Sequence, residues 1–216
     1  MNIAAPLPAR RLIAVVLPLL LAGCLSPLEP VKNIGDVSPS ELVVVGRVEF
    51  VPRLTDEDQE VDFIGDEDSI KKKVFLGVDR KFVLFDKATL EKGDVNITDV
   101  ETLVHAAFEE TFYVKKDREA LHIPYVMFYS KLTGRAQHRT FLPAQLRVDF
   151  QPGDRAIYIG TIRYHRNEYF DITKFEIADD FAKEEAAFRK KFGGKVRLVK
   201  RLAIPLDKNG KAAKRG

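Results

Sequence analysis

The sequence predicts a mainly β protein: an antiparallel β-sandwich or a barrel-like domain with two helices. Short runs rich in β-branched and aromatic residues recur along the chain, and turn residues separate them at hairpin spacing, which favours antiparallel sheets over βαβ units. The first run, ELVVVGRVEF, alternates in polarity as a half-buried strand does. Val44 and Val48 lie on one face, and Arg47 and Glu49 lie on the other.

The first predicted strand spans residues 41–50 and ends before Pro52, which has no N–H for a ladder hydrogen bond. The residue pattern predicts eight further strands, at 73–78, 82–86, 111–116, 125–130, 138–142, 145–150, 156–164 and 169–177. Gly134, Gly153 and the sequence HRNE provide turns between some of them.

The first of the two helices is predicted over residues 179–194. It opens with two acidic residues, has three basic residues at 189–191 and stops at a glycine pair, an order that suits the helix dipole and a glycine C-terminus. Phe181, Phe188 and Phe192 fall on one stripe, which we expect to pack on the sheet of the same protein.

The second helix is predicted over residues 97–110. Thr98 and Glu101 have the spacing of a capping box, and apolar residues recur at helical spacing after them. Because that apolar face includes Leu103, we expect His105 to point elsewhere.

Two segments match each other in residue type at every position: VVVGRVEF at 43–50 and IYIGTIRY at 157–164. The match aligns Gly46 with Gly160, and a glycine within a strand marks a bulge or a close approach by a bulky group. We therefore expect the two glycines to occupy equivalent central strands, with an aromatic ring over each. Chance similarity between strands is the alternative.

The only cysteine of the 216 residues, Cys24, follows a segment typical of a secretory signal peptide. Arg10 and Arg11 precede LIAVVLPLLLAG, and these apolar residues are too few for a membrane-spanning helix, which needs about 20. The sequence LAGC at 21–24 resembles the lipobox of bacterial lipoproteins. In that family the cysteine thiol receives a diacylglyceryl group, the peptide is cut before the cysteine, and the new amine is acylated. The resemblance implies a lipid anchor at Cys24 that palmitate would label.

The residues after Cys24 imply where the protein is attached. In well-studied members of the lipoprotein family, Asp directly after the cysteine favours the inner membrane, so Leu25 implies the outer membrane, facing the periplasm. The proline-containing segment 25–40 is expected to be an extended tether that holds the domain roughly 50 Å from the lipid. The mature chain as a whole resembles outer-membrane lipoproteins with a transthyretin-like β-sandwich.

Length and charge divide the chain further. Residues 1–23 are expected to be a signal peptide, 24–40 a lipidated tether, 41–199 one β-rich periplasmic domain and 200–216 a basic, disordered tail. From Lys195 to the end there are eight basic residues and one acidic residue. The alternatives for this tail are attraction to anionic lipid head groups and contact with peptidoglycan or an acidic protein.

The residues that usually carry out chemistry show no recognised arrangement. No serine lies in a G-x-S-x-G context, and the acidic stretch 56–69 lacks the register of a calcium loop. None of the histidines has a partner at metal-ligand spacing: His105, His122, His138 and His165. We therefore expect no catalytic residue, metal or cofactor.

Two classes of function follow. The first is a non-enzymatic outer-membrane lipoprotein, a binding or structural module that contacts lipid through Cys24 and another envelope protein or peptidoglycan. A periplasmic hydrolase of unrecognised type is the alternative, and nucleic acid does not fit the expected address. A concave pocket with perturbed pKa values would favour the enzyme, whereas an exposed aromatic patch or a bare sheet edge would favour the binding module.

The hairpin IRYHRNEYF at 162–170 contains the candidate binding residues. Aromatic side chains and arginine contribute most to protein interfaces, and turn tips often carry function. The candidates surround one tight turn: Tyr164, His165, Arg166, Asn167 and Tyr169, with Phe170 beside them. In the alternative interpretation, Tyr164 and Phe170 pack inward and the remainder is a solvated turn.

Overall fold

A computed structural model describes residues 28–55, 58, 73–92, 95, 100–130 and 138–213. The predicted signal peptide, the LAGC motif with Cys24, the turn at Gly134 and nearly all of the acidic stretch lie outside the described residues. Within the described ranges the chain forms ten strands: β1 Glu41–Val51, β2 Lys73–Val78, β3 Thr102–Ala107, β4 Thr111–Asp117, β5 Leu121–Ser130, β6 His138–Val148, β7 Ala156–Arg166, β8 Ile172–Ala178, β9 Leu198–Lys200 and β10 Ile204–Pro205. It also forms two α-helices, α1 Lys87–Lys92 and α2 Phe181–Phe192, and a short 3₁₀-helix at Ile34–Asp36.

The strands form two sheets that pack as a sandwich, so the predicted β-sandwich is confirmed. The first sheet has the order β4-β1-β7-β8, with β9 also paired to β7, and the second has the order β10-β6-β5-β2-β3. The main core lies between them and is built from alternate residues of both sheets, such as Val44 and Val48 of β1. The arrangement is not wholly antiparallel, because β7 pairs in parallel with β1 and with β9.

The matching segments 43–50 and 157–164 lie side by side in β1 and β7. From Arg47↔Thr161 onward they pair in the same alignment as their sequences, and the register shifts at the glycines. A Cβ on Gly46 would lie 2.6 Å from the Phe112 ring, and Gly160 has a φ of 103° and lies against Ile177. The equivalent central strands are confirmed. The prediction of an aromatic ring over each glycine is confirmed for Gly46. It is wrong for Gly160, which lies against the aliphatic side chain of Ile177.

The helix predicted over residues 97–110 is wrong, since β3 occupies Thr102–Ala107 at the centre of that segment and none of its described residues is helical. Strand β3 pairs along its whole length with β2, from Lys73↔Ala107 to Val78↔Thr102. Its neighbouring residues Leu103 and Val104 are both buried, one on each side of the sheet. Thr102–Val104 therefore show no alternation, although His105 is exposed, and the apolar residues of the segment imitate helical spacing.

The strand predicted over residues 82–86 is also wrong. This segment is irregular and leads into α1, where the Phe85 ring lies 5.5 Å from the ring of Tyr125. Together with Leu90 of α1 and with Val95 and Val100 it covers the outer face of the second sheet. Residues 82–86 do not pair with β2 as a strand, because β3 occupies the edge of the sheet beside β2.

The remaining predicted elements lie close to their expected positions. The strands at 41–50, 73–78, 111–116, 125–130, 156–164 and 169–177 correspond to β1, β2, β4, β5, β7 and β8. The two strands predicted at 138–142 and 145–150 form the single strand β6. The helix at 179–194 is confirmed as α2, which ends at Gly193 with a φ of 72°.

The chain before β1 and after α2 packs against the sandwich. The N–H of Leu28 donates to the carbonyl of Leu103 at 2.8 Å, the N–H of Val31 donates to the carbonyl of Tyr113 at 2.8 Å, and Val37 is buried. Residues 28–40 of the expected tether are thus in contact with the domain. The same holds for residues 200–213 of the expected tail, which include β10.

Candidate binding surface on the β7–β8 hairpin

The structure places the predicted site residues on the hairpin that joins β7 to β8, but it gives them different roles. Tyr164 points into the core, where it is completely buried and its hydroxyl donates to the carbonyl of Pro143 at 3.1 Å. Burial raises the pKa of this phenol. Its ring stacks on Phe50, with 5.7 Å between the centroids. Tyr164 therefore belongs to the core and does not face a ligand.

Arg166 fastens the hairpin to the chain that follows β1. Its side chain is only 8% exposed, and Nη2 donates to Asp58 Oδ2 at 2.8 Å and to the carbonyl of Arg53 at 2.8 Å. Nε donates to the carbonyl of Pro52 at 3.1 Å. The guanidinium also lies 4.9 Å from the centroid of the Phe170 ring. These contacts hold Arg166 within the fold, so its side chain is poorly placed to meet a partner.

Asn167 shapes the tip of the hairpin. Its Oδ1 accepts hydrogen bonds from the N–H groups of Tyr169 and Asp171 at 3.0 and 2.8 Å. The tight turn holds Phe170 at a φ of 69° and directs its ring into the core against Phe50. Tyr169 is left on the outside, with 78% of its surface exposed. Of the predicted binding residues, Tyr169 is thus the one that is free to meet a partner.

His165 belongs to a row of charged side chains on the outer face of the first sheet. Its Nε2 lies 3.1 Å from Glu176 Oε1, and Arg163 Nη1 lies 3.2 Å from the same oxygen. Arg163 also pairs with Glu49 of β1, and Lys174 pairs with Glu176. We call these five residues the charged row. It joins β1, β7 and β8 across the sheet.

Glu176 lies at the centre of the charged row, and its pKa is lowered by its neighbours. Hydrogen bonds from Lys174, His165 and Arg163 hold the pKa of Glu176 well below its usual 4.5, at about 2. Glu176 is therefore ionised at any physiological pH, and it is the anion around which the cations gather.

The spacing of the charged residues is the signal for this row in the sequence: Arg163 and His165 are two residues apart, as are Lys174 and Glu176. Glu49 of β1 and Arg163 of β7 are neighbours in the parallel register. Glu176 of β8 lies opposite Arg163 in the antiparallel register. Only the pairing of three strands brings these residues together, and the pairing was unknown from the sequence.

Away from the hairpin, a groove lies between β3 and β4. This groove has a volume of about 380 Å³, and His105, Glu110 and Lys191 are among the residues that line it. Burial, together with the charge of Lys73, lowers the pKa of His105. The described residues contain no group of three or more His, Cys, Asp or Glu side chains that could hold a metal ion.

The fold and the hairpin define a two-sheet β-sandwich with an exposed tyrosine tip and a charged outer face. In the part of the chain that the structure describes, none of the helices is long and apolar enough to cross a membrane. No protein-family model matches the chain, and the searches of curated proteins and of solved structures found no significant match either.

Proposed function

We propose that this protein is a lipid-anchored binding or structural module of the cell envelope. It is attached through Cys24 to the outer membrane, faces the periplasm and contacts another envelope protein. The observation that carries the anchor is the sequence LAGC at the end of an apolar segment with two arginines before it. Several acyl chains on one cysteine make the attachment stable, whereas one chain is marginal.

The contacts of Leu28 support a domain that lies close to the lipid. Only three residues, 25–27, separate Cys24 from Leu28, which is hydrogen-bonded to β3. A fully extended chain covers about 3.5 Å per residue, so these three residues reach about 10 Å. The domain therefore sits at the membrane surface, and the groove between β3 and β4 is on the side nearest the anchor.

Replacing Cys24 tests the anchor. Cys24→Ala should abolish palmitate labelling and partition into the detergent phase, because the thiol and the processed N-terminus carry the acyl chains. Ser26→Ala is the matched control and should keep both properties. Palmitate labelling of the Cys24→Ala variant would overturn the proposal.

The exposed Tyr169 supports binding as the activity of the domain. Tyrosine supplies a large rigid contact area together with a hydroxyl group, and it is enriched at the centres of protein interfaces. A convex hairpin tip fits a groove on another protein better than it encloses a small ligand, since small-molecule sites are concave.

A photo-crosslinking amino acid at position 169 tests the partner in intact cells. We expect one dominant crosslinked protein from Tyr169 and none from the exposed Lys208, which is the control position. Crosslinks only to peptidoglycan would show that the partner is the cell wall and not a protein. The absence of any crosslink from position 169 would reject the tip as a binding site.

A further inference from the structure

Strand β8 forms one edge of the first sheet, and its outer side has no partner strand among the described residues. Its inner neighbour β7 pairs with it from Thr161↔Ala178 to Arg166↔Ile172. The described backbone hydrogen bonds include none from another segment to residues 172–178. An open edge presents a row of N–H and C=O groups that can pair with another strand.

The sequence of this edge, ITKFEIA, is complementary to itself when it is reversed. If two copies of β8 pair antiparallel about Phe175, Lys174 of each copy lies directly opposite Glu176 of the other. The two Phe175 residues then face each other, and the regular ladder runs from Lys174 to Glu176, because the register of β8 shifts at Thr173. Opposite charges on directly opposed residues stabilise antiparallel strand pairs, whereas like charges destabilise them.

We propose that β8 is the contact strand of a homodimer in which the first sheets of two copies join edge to edge. Pairing about a single residue satisfies the two-fold symmetry of such a dimer, because the same surface is used by both copies. The register does not depend on which set of backbone groups points outward: Phe175 can occupy either a hydrogen-bonded or a non-hydrogen-bonded pair.

The charges favour this occupant and this direction. Lys174 is 59% exposed, so its ammonium group can turn from Glu176 of its own strand to Glu176 of the other copy. A parallel pair in register would instead place Lys174 beside Lys174 and Glu176 beside Glu176. The antiparallel arrangement also extends the charged row across the interface, since both residues belong to it.

A dimer held by one strand of seven residues is small. Interfaces below about 1,200 Å² are typical of transient complexes, so association in dilute solution is weak. The inference does not depend on the proposed lipid anchor. If the anchor is present, it confines both copies to one surface and raises their effective concentration.

Disulfide trapping tests the register. Two variants of the full chain are prepared, both carrying Cys24→Ser. One carries Lys174→Cys and the other carries Glu176→Cys. Directly opposite Cβ atoms are about 4.5–5.5 Å apart, whereas diagonal neighbours are about 7–8 Å apart. A disulfide requires close Cβ atoms. A mixture of the two variants should therefore form a covalent dimer on mild oxidation, whereas either variant alone should not. Equal crosslinking in the mixture and in the separate variants would overturn the register.

A charge reversal keeps the proposal testable if Glu176→Cys does not fold. Lys174→Glu places four acidic side chains at the centre of the interface and should raise the dimer dissociation constant at least about tenfold. Lys208→Glu makes the same change of charge on a distant loop and should leave the constant unaltered. Sedimentation equilibrium of the full chain in detergent measures both. A monomer at every concentration, or equal dissociation constants for wild type and Lys174→Glu, would reject β8 as the contact strand.

Discussion

At the scale of the residue, two arginines close to the hairpin differ in their surroundings. The side chain of Arg166 is 8% exposed and donates to two carbonyl groups and to Asp58, whereas the side chain of Arg53 is 81% exposed and pairs only with Glu109 among the described residues. The same residue type therefore holds the fold together at one position and faces solvent at the other.

This contrast predicts different losses of stability. Arg166→Ala should lower the free energy of unfolding by about 2–3 kcal/mol, because it leaves two carbonyl oxygens without their donor and Asp58 without its cationic partner. Arg53→Ala and Tyr169→Ala should each change it by less than about 0.5 kcal/mol. Urea unfolding measures all three. An Arg166→Ala variant as stable as the wild type would mean that its contacts are not formed in solution.

Glu176 predicts how stability depends on pH. Its pKa falls from the usual 4.5 to about 2 on folding, so the folded state binds fewer protons than the unfolded state between these values. The contribution of Glu176 to stability is therefore complete above about pH 5 and disappears as the pH falls towards 2. Glu176→Gln should destabilise the protein at pH 7 and should differ little from the wild type at pH 2.

Urea unfolding at a series of pH values measures this difference. Glu168→Gln, on the exposed turn of the same hairpin, controls for the loss of one negative charge. A Glu176→Gln variant whose loss of stability is the same at pH 7 and at pH 2 would contradict the assigned interactions of Glu176.

At the scale of the element, α2 is held on the first sheet by a buried ion pair. Glu184 is 1% exposed, and its carboxylate accepts from Arg47 at 2.6 Å and from the Thr111 hydroxyl at 2.8 Å. The aromatic side of the helix, with Phe188 and Phe192, packs on the same face of the sheet. Apolar packing supplies the attraction, and the ion pair determines where along the sheet the helix lies.

Removing one partner of this pair should be costly. Glu184→Ala leaves the charge of Arg47 buried and should lower the free energy of unfolding by about 3 kcal/mol. Combining Arg47→Met with Glu184→Leu should recover much of that loss, because an apolar pair replaces both charges. Glu185→Ala, which breaks an exposed pair with Arg189 one turn away, is the control and should cost less than about 0.5 kcal/mol. A double variant less stable than Glu184→Ala alone would contradict this account.

At the scale of the whole molecule, the folded domain begins before β1. Val31 and Val37 are 6% and 5% exposed and cover the outer face of the first sheet beside α2. A chain that starts at Glu41 would uncover this face, although its ten strands would all be present. The N-terminal segment is thus a part of the sandwich and not a spacer.

Two shortened chains test the boundary. A chain that starts at Glu41 should be less stable than one that starts at Leu28, because it loses the burial of Val31 and Val37 together with the hydrogen bonds that Leu28 and Val31 donate to the sheets. It should also bind a hydrophobic dye more strongly. Urea midpoints that coincide for the two chains would show that residues 28–40 contribute nothing to the fold.

The sequence by itself determined the β class, the position of α2 and the strands whose polarity alternates, such as β4 and the second half of β1. In these segments one face meets the core and the other meets a different environment, so the local pattern records the structure. The LAGC motif, on which the proposed lipid anchor rests, is likewise a short linear sequence that can be recognised without a fold.

Only the tertiary structure decided the conformation of two further segments. Strand β3, buried on both sides over Thr102–Val104, was taken for a helix, and residues 28–40 pack although their prolines favour an extended chain. It also decided the roles of Arg166 and Tyr169, which the sequence treated alike, and it assembled the charged row from three strands. The physical reason is that burial, pairing and ion-pair distance arise between segments that are far apart in the chain, and a local pattern carries no information about which segments will meet.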